Sequence, residues 1–153
     1  MSILDLPYYK TPEGALRLNK SIAAVFLAVA AINTYGSAVD DKRWTHNAPL
    51  NSVLLGGYAY AVYRFARFLA TPAKRFNITS NPEANALHVR NCHFWDVALT
   101  TPVYAVGTSF MMPGYELSIP AQVGVLTVGA VTTGSLIAII RRDQRKIEQL
   151  TAA

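Results

Sequence analysis

From Pro120 to Ile140 the chain reads PAQVGVLTVGAVTTGSLIAII without one charged residue, and Arg141, Arg142, Arg145 and Lys146 follow at once. A helix rising about 1.5 Å per residue covers the roughly 30 Å hydrocarbon core of a bilayer with about 20 residues. Pro120 suits a first helical turn, where its missing N–H costs nothing. A second uncharged run, Ser21 to Val39 (SIAAVFLAVAAINTYGSAV), is long enough for the same task. Two shorter candidates lie between them. One runs from Ala48 to about Leu69, with Arg64 and Arg67 near its end; the other runs from about Phe94 to Met112 and contains Pro102. Long arginine side chains reach back to the headgroups, and membrane helices accept a proline where neighbours satisfy the freed carbonyl.

Composition bears on the choice between water and lipid as solvent. With 52% hydrophobic and only 15% charged residues, the chain has too little polar surface to clothe a water-soluble domain of 153 residues. The net charge of +5 would suit nucleic acid if the cations formed one face. They gather at span ends instead, so no nucleic-acid partner is expected. The lone Cys92 excludes an internal disulfide and a cysteine-based metal cluster. No cleavable secretory signal is expected either, because the first apolar run starts only at Ser21 and is long enough to span.

Charge placement tests the span assignment independently of hydropathy. Twelve of the 14 Lys and Arg residues fall in the first, third and fifth extramembrane segments, counting Arg64 and Arg67 with the third. Lys42 and Arg43 are the remaining two, both in the second segment, and the fourth has none. Positive loops stay on the cytoplasmic or matrix side of a membrane. The expected fold class is therefore an all-α membrane protein: four transmembrane helices in an antiparallel bundle, both termini on the same side. A single domain over 1–153 is expected, with spans at about 21–39, 48–69, 94–112 and 120–140. Residues 72–91 read as a polar surface loop with room for a short amphipathic helix after Pro82. Met112-Pro113-Gly114-Tyr115-Glu116 reads as a tight turn that makes the last two spans neighbours.

Small residues recur along the spans: Ala24, Ala28, Ala31 and Ala38 in the first, Ala98, Thr101, Ala105, Thr108 and Ser109 in the third, Gly124, Gly129 and Gly134 in the fourth. Helices in lipid associate through close backbone approach, which such stripes permit. The other use for them is a translocation path, which would need a polar mid-span face, and only Asn33, Thr101, Thr132 and Thr133 offer one.

Chemistry is scarce along the sequence. Every Asp and Glu lies in a tail, a loop or at a span end, so no acid–base pair can be assembled within the membrane, and an enzyme is not expected. No catalytic, metal or cofactor-binding residue is assigned. Among the histidines only His93 comes near a position from which it could ligate haem. Cys92-His93 lacks further ligands at zinc spacing and reads as an interfacial polar pair. Trp95 reads as a membrane-belt aromatic, and Asp96 as a partner for Arg90 or for another subunit.

One group stands out for binding: Tyr60, Tyr63, Arg64, Arg67, Lys74 and Arg75. Arg64 and Arg67 share a helix face at i, i+3, with aromatic residues just ahead of them at headgroup depth. A basic, aromatic-edged notch suits an anionic phospholipid headgroup, cardiolipin if the membrane is mitochondrial. The same residues also serve as plain positive-side anchors that snorkel to the interface.

The opening Pro7-Tyr8-Tyr9-Lys10-Thr11-Pro12-Glu13-Gly14, followed by an alanine-rich span, resembles the start of a four-helix accessory subunit of mitochondrial complex I. Those subunits are related to the inner-membrane protein-translocase (Tim-type) family. Length, span count and a glycine-rich last helix ending in basic residues are similar as well. The resemblance implies a non-catalytic subunit of a respiratory-chain complex in the mitochondrial inner membrane. It would have both termini in the matrix, and other subunits of a large complex and membrane lipid as partners. In a bacterial plasma membrane the orientation rule is the same, with both termini cytoplasmic. A small transporter or translocase component is the alternative function.

Overall fold

A computed structural model describes residues 11–110 and 117–152, and among them all regular structure is helical. Four long helices follow one another: α1 (Pro12–Val39), α2 (Asp41–Ala70), α3 (Pro82–Phe110) and α4 (Ile119–Ala152), with a short 3-10 helix (Ala73–Phe76) between α2 and α3. Two of them, α1 and α4, are long and apolar enough to cross a membrane.

Each start has a local cause. At α1 the Thr11 hydroxyl accepts from the Gly14 N–H at 3.1 Å, Pro12 opens the helix and Glu13 lies in its first turn. Asp40 is the whole link between α1 and α2. Its backbone N–H closes α1 on the Gly36 carbonyl, and its carboxylate caps α2 by accepting from the Lys42 N–H at 3.0 Å. The first turn of α2 is kinked away at Asn47 (φ −157°, ψ 82°), two residues before Pro49. Asn51 then fastens the hairpin, donating its amide to the Ser37 carbonyl at 2.9 Å.

The largest departure from expectation is at 82–91. This stretch is not loop but the first turns of α3, and Ala84, Asn85, Ala86, Leu87, Val89, Arg90 and Asn91 are all buried. The physical reason is a complete start signal. Asn81 accepts from the Glu83 and Ala84 N–H groups at 2.9 and 3.3 Å, and Pro82 takes the first helical position. Asn85 reaches back, donating to the Thr79 carbonyl at 2.8 Å and accepting from the Ile78 and Thr79 N–H groups at 2.9 and 3.1 Å. Helices α1 and α4 also outrun their expected spans, α1 beginning at Pro12 and α4 continuing to Ala152. The turn at 112–116 and the last residues of the third span lie outside the described residues.

Consecutive helices run antiparallel. Lys20 of α1 donates to the Leu69 and Thr71 carbonyls at 2.7 and 3.0 Å, Arg64 of α2 pairs with Asp96 of α3 at 2.5 Å, and Arg90 of α3 pairs with Asp143 of α4 at 2.6 Å. These contacts collect the start of α1, the end of α2, the start of α3 and the end of α4 at one basic end. The core lies there too. Ala15, Ala23 and Ala30 of α1 face Ala61, Phe65 and Phe68 of α2 and Ala86 and Val89 of α3, with Phe26 stacked on Phe65 at 5.4 Å.

On α3 the predicted small-residue stripe does pack, with Ala98 and Ser109 buried and Ala105 against Gly129, but on α1 and α4 the seams differ from those the stripes predicted. On α1 the expected face, Ala24, Ala28, Ala31 and Ala38, is exposed, whereas Ala15, Asn19, Ala23, Ala30 and Ser37 are buried. The buried set advances by steps of four and seven residues, which keeps one face inward over the helix length. On α4 Gly124 and Gly134 face open space and only Gly129 meets a neighbour: a Cβ there would stand 2.6 Å from the Ala105 Cβ. Five-residue steps rotate about 140° around a helix, so the three glycines do not share a face. Among its described residues α4 buries Gly129, Ile140 and Asp143, and its packing is chiefly on α3. Outward-facing apolar side chains are numerous in consequence: Val25, Ile32, Tyr35 and Val39 on α1, and Ile119, Val123, Val128 and Val131 on α4, each more than half exposed.

Candidate functional site

The corner between α2 and α3 holds a cleft of about 820 Å³. The last turns of α2 supply Arg64, Arg67 and Phe68, the Thr71-Pro72 corner and the 3-10 helix supply Lys74, Arg75 and Phe76, and α3 supplies the facing wall. All four cations singled out from the sequence therefore surround one space. Tyr60 and Tyr63 do not line it. They stand beside it on the exposed side of α2, where the Tyr60 hydroxyl accepts from Arg64 at 2.8 Å and the Tyr63 hydroxyl accepts from Arg67 at 3.4 Å. The tyrosines thus restrict how the two guanidinium groups point.

The α3 wall is His88, Cys92, Trp95, Asp96 and Leu99, residues that share a face because they recur at three- and four-residue steps. His88 and Cys92 lie ahead of the third candidate span. Burial pushes the His88 imidazole below its ordinary range, so it is neutral at pH 7. Burial also raises the Cys92 thiol to about 11, with the Asp96 carboxylate adding to the rise, so it is no thiolate. The thiol lies 3.7 Å from the His88 Nε2. Cys92 and His93 therefore do not form the pair expected from their adjacency. One residue along a helix is a turn of about 100°, which sends His93 into the core while Cys92 faces the cleft.

His93 is 1% exposed, with the rings of Phe68, Phe65 and Phe26 at 5.3, 6.2 and 6.3 Å. Among the described residues only His93 contributes an imidazole to that apolar cage. Among the described residues no group of three or more His, Cys, Asp or Glu side chains could hold a metal ion. Asp96 pairs with Arg64 and not with Arg90, which instead engages Asp143. The difference follows from the extra turns of α3, which bring Arg90 against the end of α4.

Counting formal charges gives the cleft its character. Four cations face one carboxylate, and the histidine and thiol are neutral. An anion near the end of α2 would ordinarily be repelled by the carbonyl end of the helix. Lys20 offsets this by capping the Leu69 and Thr71 carbonyls. Lys20 did not stand out in the sequence; its place immediately ahead of the apolar run on α1 was the available signal. The polar mid-span residues do not converge on this cleft: Asn33 donates to the Val29 carbonyl and Thr101 to the Val97 carbonyl of their own helices. The cleft thus carries an excess of positive charge, with Trp95 and Leu99 on its α3 wall. No protein-family model matches the chain, and no curated protein or solved structure matches it.

Proposed function

We propose that this chain is a non-catalytic accessory subunit of a larger assembly in the mitochondrial inner membrane, of the respiratory-chain kind its opening residues resemble. In this reading the four helices cross the bilayer, both ends stay on the matrix side, and the subunit stabilises its assembly by helix packing and by lipid held at its basic end. The observation that carries the reading is the outward apolar surface of α1 and α4. Val25, Ile32, Tyr35, Ile119, Val128 and Val131 are each more than 60% exposed. Soluble monomers rarely leave contiguous apolar faces of this extent in water, and lipid or partner helices are what such faces fit.

The test is native electrophoresis of gently solubilised membranes with the chain tagged. Migration with a complex many times its own 16.7 kDa mass is expected. Migration as a monomer or small homo-oligomer would overturn the accessory-subunit role. Release of the chain by alkaline carbonate would overturn the membrane-spanning role. Protease protection that puts the two ends in opposite compartments would overturn the topology.

A further inference from the structure

We propose that the cleft at the α2–α3 corner binds a phospholipid whose headgroup carries two phosphodiesters. Arg67, Lys74 and Arg75 meet the phosphates, and Trp95 and Leu99 flank an acyl chain. The inference rests on the membrane reading above and names the ligand of that same site.

Charge sets the valence. Arg64 is committed, with Asp96 at 2.5 Å and the Tyr60 hydroxyl at 2.8 Å. Among the described residues no carboxylate lies within salt-bridge reach of Arg67, Lys74 or Arg75. Three uncompensated cations around one cleft leave a single phosphodiester over-matched by two charges and a pair of phosphodiesters by one. The cations also sit on two elements: Arg67 on the last turn of α2, Lys74 and Arg75 on the 3-10 helix beyond the Thr71-Pro72 corner. Two anionic groups a few ångströms apart fit that division better than one.

Shape sets the amphiphile. Along α3 the wall changes from His88 and Cys92 to Trp95 and Leu99 over eleven residues, about 16 Å at the helical rise. The cations crowd the end near the helix termini, and Leu99, 45% exposed, marks the other. A free anion would use only the first part of such a cleft. A lipid uses both, with its headgroup at the cations and a chain along Trp95 and Leu99.

The experiment is native mass spectrometry of the delipidated full chain in detergent, titrated separately with diphosphatidylglycerol, with phosphatidylglycerol at matched charge and with phosphatidylcholine. Inorganic pyrophosphate serves as a competitor that has the charge without the chains. One diphosphatidylglycerol per chain is expected, bound at least tenfold tighter than phosphatidylglycerol and not displaced by pyrophosphate. Arg67→Gln with Arg75→Gln should weaken it at least tenfold, while Arg67→Lys with Arg75→Lys retains most of the binding. Arg141→Gln with Arg145→Gln, which removes the same charge from the exposed end of α4, should leave it unchanged.

Equal binding of the two anionic lipids would overturn the two-phosphate assignment. Displacement by pyrophosphate would show a free-anion site. An equal loss in the Arg141/Arg145 variant would reduce the effect to surface charge. If lipid binding fails in these ways while the tagged chain still migrates with a large complex, the site is wrong and the accessory-subunit role stands.

Discussion

Replacing Asp143 with Asn tests how α4 is held. The Asp143 Oδ2 accepts from the Arg90 Nε at 3.0 Å and from Nη2 at 2.6 Å, and the two side chains are 2% and 3% exposed. Removing one member of a buried ion pair leaves the other charge desolvated, which typically costs about 3–5 kcal/mol. On the same seam Glu83 and Lys146 also pair, but their side chains are 46% and 52% exposed, and such surface pairs contribute about 0–1 kcal/mol. Asp143→Asn is therefore expected to destabilise the chain by about 3–5 kcal/mol and Glu83→Gln by no more than about 1. The assay is unfolding of the purified chain in mixed micelles by increasing SDS fraction, followed by far-ultraviolet circular dichroism. A double-mutant cycle with Arg90→Met should give a coupling of about 2 kcal/mol or more, in the upper part of the range for residues in contact. If Asp143→Asn costs no more than Glu83→Gln, water reaches the pair in solution and its burial does not hold α4.

The remaining predictions use the same unfolding assay. Gly129→Val pushes side-chain atoms into the Ala105 methyl and should cost about 1–3 kcal/mol, whereas Gly134→Val, which meets nothing within 4 Å, should stay within about 0.5; equal effects would refute the α3–α4 contact. Lys20→Met uncaps the Leu69 and Thr71 carbonyls and should cost about 1.5–3 kcal/mol, with faster amide exchange at the end of α2; unchanged exchange there would refute the cap. His88, lowered by burial, leaves the unfolded chain binding more protons as pH falls below its ordinary value of about 6.5. The stability tied to its neutral form is thus complete above that pH and is lost on acidification towards the folded value. His88→Leu should flatten the loss between about pH 7.5 and 5.5, and parallel slopes would refute the assignment.

What the sequence could disclose divides along physical lines. Length and apolarity are properties of a segment alone, so the stretches that became α1 and α4 were legible from their uncharged runs. Caps are nearly as local. Asn81-Pro82-Glu83 carries the same start signal as Thr11-Pro12-Glu13, yet 82–91 read as loop for its polarity: Asn85 is satisfied locally by Ile78 and Thr79, but Arg90 meets Asp143 only once α4 packs alongside. Facing direction is not local at all. Ala24 and Ala23 are equally small, and only the position of α2 and α3 decides that Ala23 is inside. Likewise the basic cluster was legible as a group because α2 and the 3-10 helix are adjacent in sequence. Its opposite wall, and the Arg64–Asp96 pair that commits one of the four cations, needed the return of α3.

The α3–α4 seam changes its chemistry along its length. Near the basic end Arg90–Asp143 and Glu83–Lys146 join the helices by charge, and farther along Gly129 lets α4 close onto the Ala105 methyl of α3. Ionic strength acts on the exposed part of the first and hardly at all on the second, while a competing apolar surface acts on the second alone. The charged end therefore keeps α4 tethered to α3 under conditions that loosen the Gly129 contact.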